Sequence, residues 1–292
     1  NTPLKANGML YACTAHSRVL ALDPDTGAEI WRYDPQIKSP VGTFKGFAHM
    51  TCRGVSYYDE NRYVSRDGSP APTISDAGKA VAQACPRRLY LPTADARLIA
   101  INADNGKVCE GFANQGSVDL TTGLGPFTPG GYYSTSPVAI TRDLVIIGGH
   151  VTDNESTSEP SGVIRAYDVH DGRLVWNWDS NNPDDTAPLA PGKMYSRNSA
   201  NMWSIASVDE DLGMIYLPLG NQTPDQWGAD RTPGAEKYSA GVVALDLATG
   251  KARWNYQFTP HDPWDMDVGS QPTLVSLKTD DGMITFAKKF LT

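Results

Sequence analysis

Long apolar runs are missing from this 292-residue sequence. The longest clean stretches, such as Leu144–Ile147, fall far short of the roughly 18 residues that a membrane-spanning helix needs, and no signal peptide is recognisable. Cysteine is scarce, at four residues, and no CxxC pair occurs. That excludes a disulfide-dense scaffold and disfavours zinc or thioredoxin-type chemistry. Basic residues are outnumbered, with 25 Lys and Arg against 33 Asp and Glu, a net charge of −8. Nucleic-acid binders usually show a basic face, so no nucleic-acid partner is expected. Amphipathic helix patterns are also lacking; residues 74–84 are the best candidate and span only a few turns. The sequence begins at Asn1 instead of Met, so a preceding segment is expected. What is abundant is turn chemistry. The chain has 27 Gly and 21 Pro, above the usual roughly 7% and 5%. With 40% hydrophobic residues, it is too apolar for disorder and too aperiodic for collagen. Many turns in an apolar chain imply many short strands.

The four cysteines allow two staples. Cys85 and Cys109 bracket an apparent hairpin pair at 88–90 and 98–101 and can meet across it. Cys13 and Cys52 are the other possible pair. Such bonds belong to an oxidising compartment; the competing account is four buried free thiols in a cytosolic protein.

An internal repeat organises the chain. The pattern A-x-[DN]-x-x-x-G-x-x-x-W runs from Ala21 to Trp31, from Ala166 to Trp176 and from Ala244 to Trp254. A fourth copy runs from Ala100 through Asn102 and Gly106, but ends on Glu110 instead of Trp. Each copy reads as a strand entering a tight turn. The Asp or Asn opens the turn with a side-chain-to-backbone hydrogen bond, and the Gly supplies the positive φ. The strand that follows carries a Trp able to pack on a neighbour. The copy with Glu110 must dock differently. A further strand precedes each unit, at 9–13, 89–91, 144–148 and 214–219. Three or four strands per repeat is the grammar of a β-propeller blade; a β-sandwich with chance turn similarity is the competing fold.

These motifs resemble the tryptophan-docking repeat of the eight-bladed quinoprotein dehydrogenases, which use pyrroloquinoline quinone (PQQ). Longer stretches sharpen the resemblance to the membrane-bound group acting on glucose, quinate and shikimate: residues 50–57 (MTCRGVSY), 85–88 (CPRR), 132–137 (YYSTSP), 159–165 (EPSGVIR) and 261–267 (HDPWDMD). The likeness runs from about residue 2 to about residue 278. Within the group, 198–203 (NSANMW) and 220–227 (GNQTPDQW) look more like the quinate/shikimate branch. The resemblance implies an all-β fold, with residues 1–292 forming one partial propeller domain of about four blades, half of an eight-bladed ring.

Alcohol oxidation by an ortho-quinone needs a base for the hydroxyl proton and a Lewis acid at the quinone carbonyl. Calcium or another divalent cation suits the second role, because hard cations take carboxylate and amide oxygens. Asp262, Asp265 and Asp267 crowd one short segment. On an extended strand 265 and 267 point to one face, and two such carboxylates repel unless a cation or proton lies between them. The bland alternative is a solvated acidic turn. The resemblance makes Asp265 the catalytic base and Asp267 a metal-side carboxylate. It also makes Asn221 a metal ligand through its amide oxygen and Trp203 the platform under the PQQ ring. Arg53 matches the residue that grips the carboxylate edge of PQQ, with Ser134 or Thr135 contributing a hydroxyl there. A surface salt bridge is the plain reading of Arg53; core packing and a turn are those of Trp203 and Asn221. His49 matches a substrate-end His, against an ordinary buried or surface His. Asp153 and Asn154, on the loop after Gly149, are expected to complete the metal site, with Glu159 a weaker candidate.

By the same resemblance, the function is oxidation of quinate or shikimate to the 3-dehydro ketone, with electrons passed to ubiquinone. Oxidation of glucose to gluconolactone is the same-chemistry alternative, and a non-catalytic envelope scaffold is the alternative of another class. The location implied is the periplasmic face of the bacterial inner membrane, through an N-terminal anchor missing from this sequence. Residues 280–292 do not look like the usual continuation, and no basic residue of a following blade is seen. These 292 residues alone are therefore expected to be inactive or very weak.

Overall fold

The computed structural model describes residues 2–37, 50–62, 74–153, 155–279 and 282–288, residues 277–279 and 282–288 as backbone only. His49 and Asn154 lie outside the described residues. The chain divides into two compact units: residues 1–147 with 166–175, and residues 148–165 with 176–292.

Strands dominate. The first sheet is an antiparallel meander of β1 (Leu4–Ala6), β2 (Met9–Cys13), β3 (Val19–Leu22) and β4 (Glu29–Tyr33), in that order. The second is β5 (Ser56–Asp59), β6 (Arg87–Pro92), β7 (Arg97–Asn102) and β8 (Ser117–Asp119). Helix α1 (Asp76–Ala84) interrupts it, started by the Ser75 hydroxyl, which accepts from the Gly78 N–H at 3.0 Å. After the short strand β9 (Tyr132–Tyr133) come β10 (Ala139–Ile140), β11 (Leu144–Ile147), the short β12 (His150–Val151), β13 (Ile164–Asp168) and β14 (Leu174–Trp178). The third sheet has the order β10-β11-β13-β14. In the second unit, β15 (Ser207–Asp209), β16 (Met214–Leu219), β17 (Gly241–Asp246) and β18 (Ala252–Gln257) form the fourth, with α2 (Pro233–Tyr238) between β16 and β17. A hairpin of β19 (Thr273–Thr279) and β20 (Gly282–Lys288) follows. Four four-stranded sheets, each in chain order with the third passing over β12, match the blade reading.

Each repeat builds its turn as its residues dictate. Asp23, Asp168 and Asp246 each use Oδ1 to accept two backbone N–H groups of the turn, and Asn102 accepts one. Gly27, Gly106, Gly172 and Gly250 stand at φ 72°, 72°, 73° and 69°, backbone that costs an L side chain energy. The Trp residues dock on the glycines. Trp31 lies against Gly106, where an added Cβ would meet the ring at 2.6 Å, and its indole N–H donates to the Ala103 carbonyl at 3.2 Å. Trp176 repeats this on Gly250, with a 2.7 Å approach and a 2.8 Å bond to the Leu247 carbonyl.

The copy without Trp docks differently, as expected. Gly172 is covered by Phe112 and Ala113, and the Ala113 N–H donates to the Asp171 carbonyl at 3.0 Å. The Cys85–Cys109 disulfide holds the same segment, and Cys13–Cys52 ties β2 to the stretch before β5. The core of the first unit gathers Tyr11, Val19, Leu89, Leu91, Ile99 and Ile101; that around the fourth sheet gathers Tyr216, Val242, Ala244 and Val268.

Candidate active site

Strand β16 runs out at Leu219, and Gly220 and Asn221 begin the loop that builds the site. Only glycine fits at 220, because a Cβ there would stand 2.7 Å from both carboxylate oxygens of Asp267. The Asn221 backbone N–H donates to Asp267 Oδ1 at 2.8 Å, and Trp203 Nε1 donates to Oδ2 at 2.5 Å. Burial, with Asp265 and Asp262 adding to it, raises the Asp267 pKa to about 6 against the pull of those two donors. Gly269 lies under the Trp203 ring, where a Cβ would approach to 2.8 Å. The half-buried indole is thus fixed from one edge and one side.

The Asn221 amide is also engaged. Its Nδ2 donates to Asp262 Oδ2 at 2.8 Å, and its Oδ1 accepts from Arg231 Nη1 at 3.0 Å. Arg231 Nη2 donates to the backbone carbonyls of Asp225, at 2.6 Å, and of Asp262. One guanidinium therefore fastens three points of the site loops. Asp262 is buried and caps its own loop, accepting from the N–H groups of Trp264 at 3.0 Å and Met266 at 2.6 Å.

That cap corrects one expectation. Residues 265 and 267 do not lie on an extended strand with their carboxylates on one face. Asp262 folds the segment back, and Asp265 stands at φ 62°, a conformation sparsely populated outside glycine. Asp267 is therefore held by Trp203 and Asn221, whereas Asp265 joins a different group. Its carboxylate, with those of Asp153 and Asp225, places three ligand oxygens within 4.8 Å of one another. The Asp265 pKa is raised by burial and by Asp153 and Asp262, with Arg231 opposing. Asp225 is pushed much further up, by burial first and then by Asp267, Asp153 and Asp265. Among the described residues its Oδ1 has no hydrogen-bond partner, although the side chain is 4% exposed.

Of the residues expected from the sequence, Trp203, Asn221 and Asp267 form one contact set, and Asp153 and Asp265 share the carboxylate cluster. Glu159 lies outside that cluster, its Oε1 accepting from Ser156 Oγ at 2.6 Å. Arg53 and Thr135 belong to the first unit and are joined twice: Arg53 Nη1 donates to Thr135 Oγ1, and the Arg53 N–H donates to the Thr135 carbonyl at 3.0 Å. Ser134 Oγ instead donates to the Ser136 carbonyl at 3.2 Å, so of the two hydroxyls Thr135 is the one in contact with the guanidinium. Burial lowers the Arg53 pKa. Asp225 and Arg231 are the residues that sequence reasoning missed. The only signal for Asp225 was its place four residues after Asn221.

The donor set suits a hard cation. Calcium sits 2.3–2.6 Å from its oxygens, so one ion can touch ligands up to about 5 Å apart, and the three oxygens here all lie within 4.8 Å of one another. The flat Trp203 indole and the Arg53 guanidinium suit, respectively, a planar ring and a carboxylate.

Comparisons with known proteins place this arrangement. The chain is 44% identical over 291 residues to quinoprotein glucose dehydrogenase A of Acinetobacter calcoaceticus, covering 100% of this chain and 35% of that one. It is 38% identical over 286 residues to the quinate/shikimate dehydrogenase (quinone) of Acinetobacter baylyi, covering 96% and 34%. The crystal structure of quinohemoprotein alcohol dehydrogenase from Comamonas testosteroni superposes with a TM-score of 0.67 at 24% identity, over 97% of this chain and 38% of that one. The chain thus spans about a third of the length of the curated relatives it matches. The family profile described as the PQQ β-propeller domain of glucose/ethanol/alcohol dehydrogenases matches residues 1–287. The likeness therefore continues past residue 278, through the β19–β20 hairpin, where the sequence reading had it fade. The tryptophan-docked four-stranded sheets, the site they carry and this match over almost every residue lead to one conclusion: the chain belongs to the β-propeller domain family of the PQQ-dependent glucose, ethanol and alcohol dehydrogenases.

Proposed function

We propose that this chain supplies the base, the cation ligands and part of the cofactor cradle of a quinoprotein dehydrogenase that oxidises a CH–OH group of a sugar or cyclic polyol. The observation that carries the reading is the Asp153–Asp225–Asp265 cluster next to the Trp203–Asp267–Asn221 set. When bound, PQQ supplies a two-electron acceptor, and calcium or another divalent cation supplies the polarising charge. Asp265 takes the substrate hydroxyl proton onto its carboxylate. Trp203, locked by Asp267 and Gly269, offers a flat platform of fixed orientation. Arg53, held by Thr135, offers a guanidinium to a cofactor carboxylate, with Ser134 shaping the same loop. Asp153, Asn154, Asn221 and Asp267 form the cation side of the site, and His49 the substrate end.

Identity weighs on the substrate. The glucose dehydrogenase relative is the nearer of the two, at 44% against 38%, so oxidation of glucose at C1 leads and quinate or shikimate follows. The four sheets act as four blades of a single propeller domain spanning residues 1–292. The protein works at the periplasmic face of the bacterial inner membrane and passes electrons to ubiquinone. Its two disulfides suit that oxidising side, and among the described residues no helix is long and apolar enough to cross a membrane. A non-catalytic scaffold gives no reason for three converging carboxylates.

Dye reduction by the full-length protein loaded with PQQ and calcium tests the reading, with glucose, quinate and shikimate as donors. Asp265→Asn is expected to lower kcat by roughly 10²–10⁴-fold, the usual worth of a general base. Turnover by this variant within twofold of wild type would remove Asp265 from the role.

A further inference from the structure

Asp225 is not among the residues that the family resemblance implied as ligands, yet it is the most buried of the three clustered carboxylates. It sits 4% exposed on the loop between β16 and α2, and its Oδ1 finds no partner among the described residues. A buried carboxylate oxygen without a donor is costly. Its remaining surroundings are also acidic. Asp153 offers a second carboxylate beside it. The Asp265 carboxylate completes the group, with all three ligand atoms inside 4.8 Å. The backbone is built to keep Asp225 there: Arg231 Nη2 holds its carbonyl at 2.6 Å while Nη1 holds the Asn221 amide oxygen. Arg231 is thus bonded to backbone and amide oxygens, and among the described residues nothing donates to Asp225 Oδ1.

We propose that Asp225 is a direct ligand of the site's hard cation beside Asp153, with the neighbouring Asp265 carboxylate left to act as the base, and that Arg231 positions Asp225 through its backbone carbonyl. This rests on the functional reading above and adds a third carboxylate to it. A cation held among these carboxylates would give Oδ1 the partner it lacks. On the cation side, Asn221 links Arg231 to Asp262 through its amide, Oδ1 accepting from Arg231 and Nδ2 donating to Asp262.

Calcium binding to the full-length protein, stripped of PQQ and metal by EDTA, tests the assignment by calorimetry and by melting temperature. Magnesium is titrated separately to identify which ion the site prefers. Asp225→Asn keeps the shape and removes the charge. It is expected to raise the cation Kd at least about tenfold, whereas Asp25→Asn, on an exposed turn of the first unit, leaves it unchanged. The melting temperatures carry a second signature that a purely structural role would not produce. In EDTA, Asp225→Asn is expected to melt above wild type, because it relieves like-charge crowding; at saturating calcium it is expected to melt below. Should that variant fail to fold, Asp225→Ser in the same assay carries the test. Wild-type cation affinity in the variant, with PQQ still bound, would overturn the ligand role and leave the dehydrogenase reading standing. Binding of neither PQQ nor cation by the wild type would overturn both.

Discussion

Asp265 holds its carboxylate among three acidic neighbours only because its backbone is bent to φ 62°, and the bend is made by Asp262 accepting two N–H groups of the same loop. Backbone strain of this kind is a local cost that a surrounding network sustains. Gly220 belongs to that network. Gly220→Ala pushes a methyl into the Asp267 carboxylate, and overpacking of this kind typically costs about 1–3 kcal/mol. We expect a lowered melting temperature and weakened PQQ binding; wild-type values for both would show that the contact relaxes freely. The residues read from motif matches, Asp265, Asp267, Asn221 and Trp203, all come together in one unit. Asp225 and Arg231 stayed hidden because their roles depend on contacts across loops, and a lone Asp after Pro or Arg after Asp carries no local periodicity. The face-sharing of 265 and 267 failed for a related reason: a side-chain cap at 262 overrode the strand geometry that spacing alone suggests.

Among the elements, the repeat turns were the most legible part of the chain, because Asp, Gly and Trp each act locally or at a fixed partner position. Trp176 is 2% exposed and docked on Gly250, whereas Trp254, its counterpart in the last repeat, is 40% exposed. Trp176→Ala is expected to cost about 3–5 kcal/mol, and Trp254→Ala in this chain clearly less. Chemical denaturation of both variants checks the ranking, and equal losses would contradict the docking role. The repeat ending in Glu110 gave notice of a different junction but not of its contents. In the fold that junction holds Phe112, the Cys85–Cys109 bond and a buried charged group. His170 meets Glu60 at 3.2 Å and Asp168 at 3.5 Å, with the Tyr58 hydroxyl 3.3 Å from Nε2 and Arg88 also paired with Glu60. Burial alone would depress the His170 pKa, but its bonds to Asp168 and Glu60 outweigh this and raise it to about 9, with Arg88 opposing. A folded pKa above the unfolded value of about 6.5 means stability is fully present below that pH and is lost as pH rises through about 9. We expect the unfolding free energy to fall by a few kcal/mol across that window. His170→Gln is expected to flatten the slope; an unchanged slope would place its source elsewhere.

At the scale of the whole molecule, no helix among the described residues is long and apolar enough to cross a membrane; the Cys85–Cys109 bond formed across the hairpin that brackets it, and Cys13–Cys52 is the remaining pair. Substrate identity was not legible, because the residues facing a substrate cannot be separated by motif from those facing a cofactor. The central claim is that the chain builds a cation-dependent PQQ site. Its most direct test is titration of PQQ into the full-length protein with and without calcium, followed by cofactor absorbance and melting temperature, in wild type and in Asp265→Ala/Asn221→Ala. The account predicts saturable, calcium-dependent binding that the double substitution weakens; absence of binding at PQQ and calcium well above saturation, or binding indifferent to calcium and to both substitutions, would contradict it.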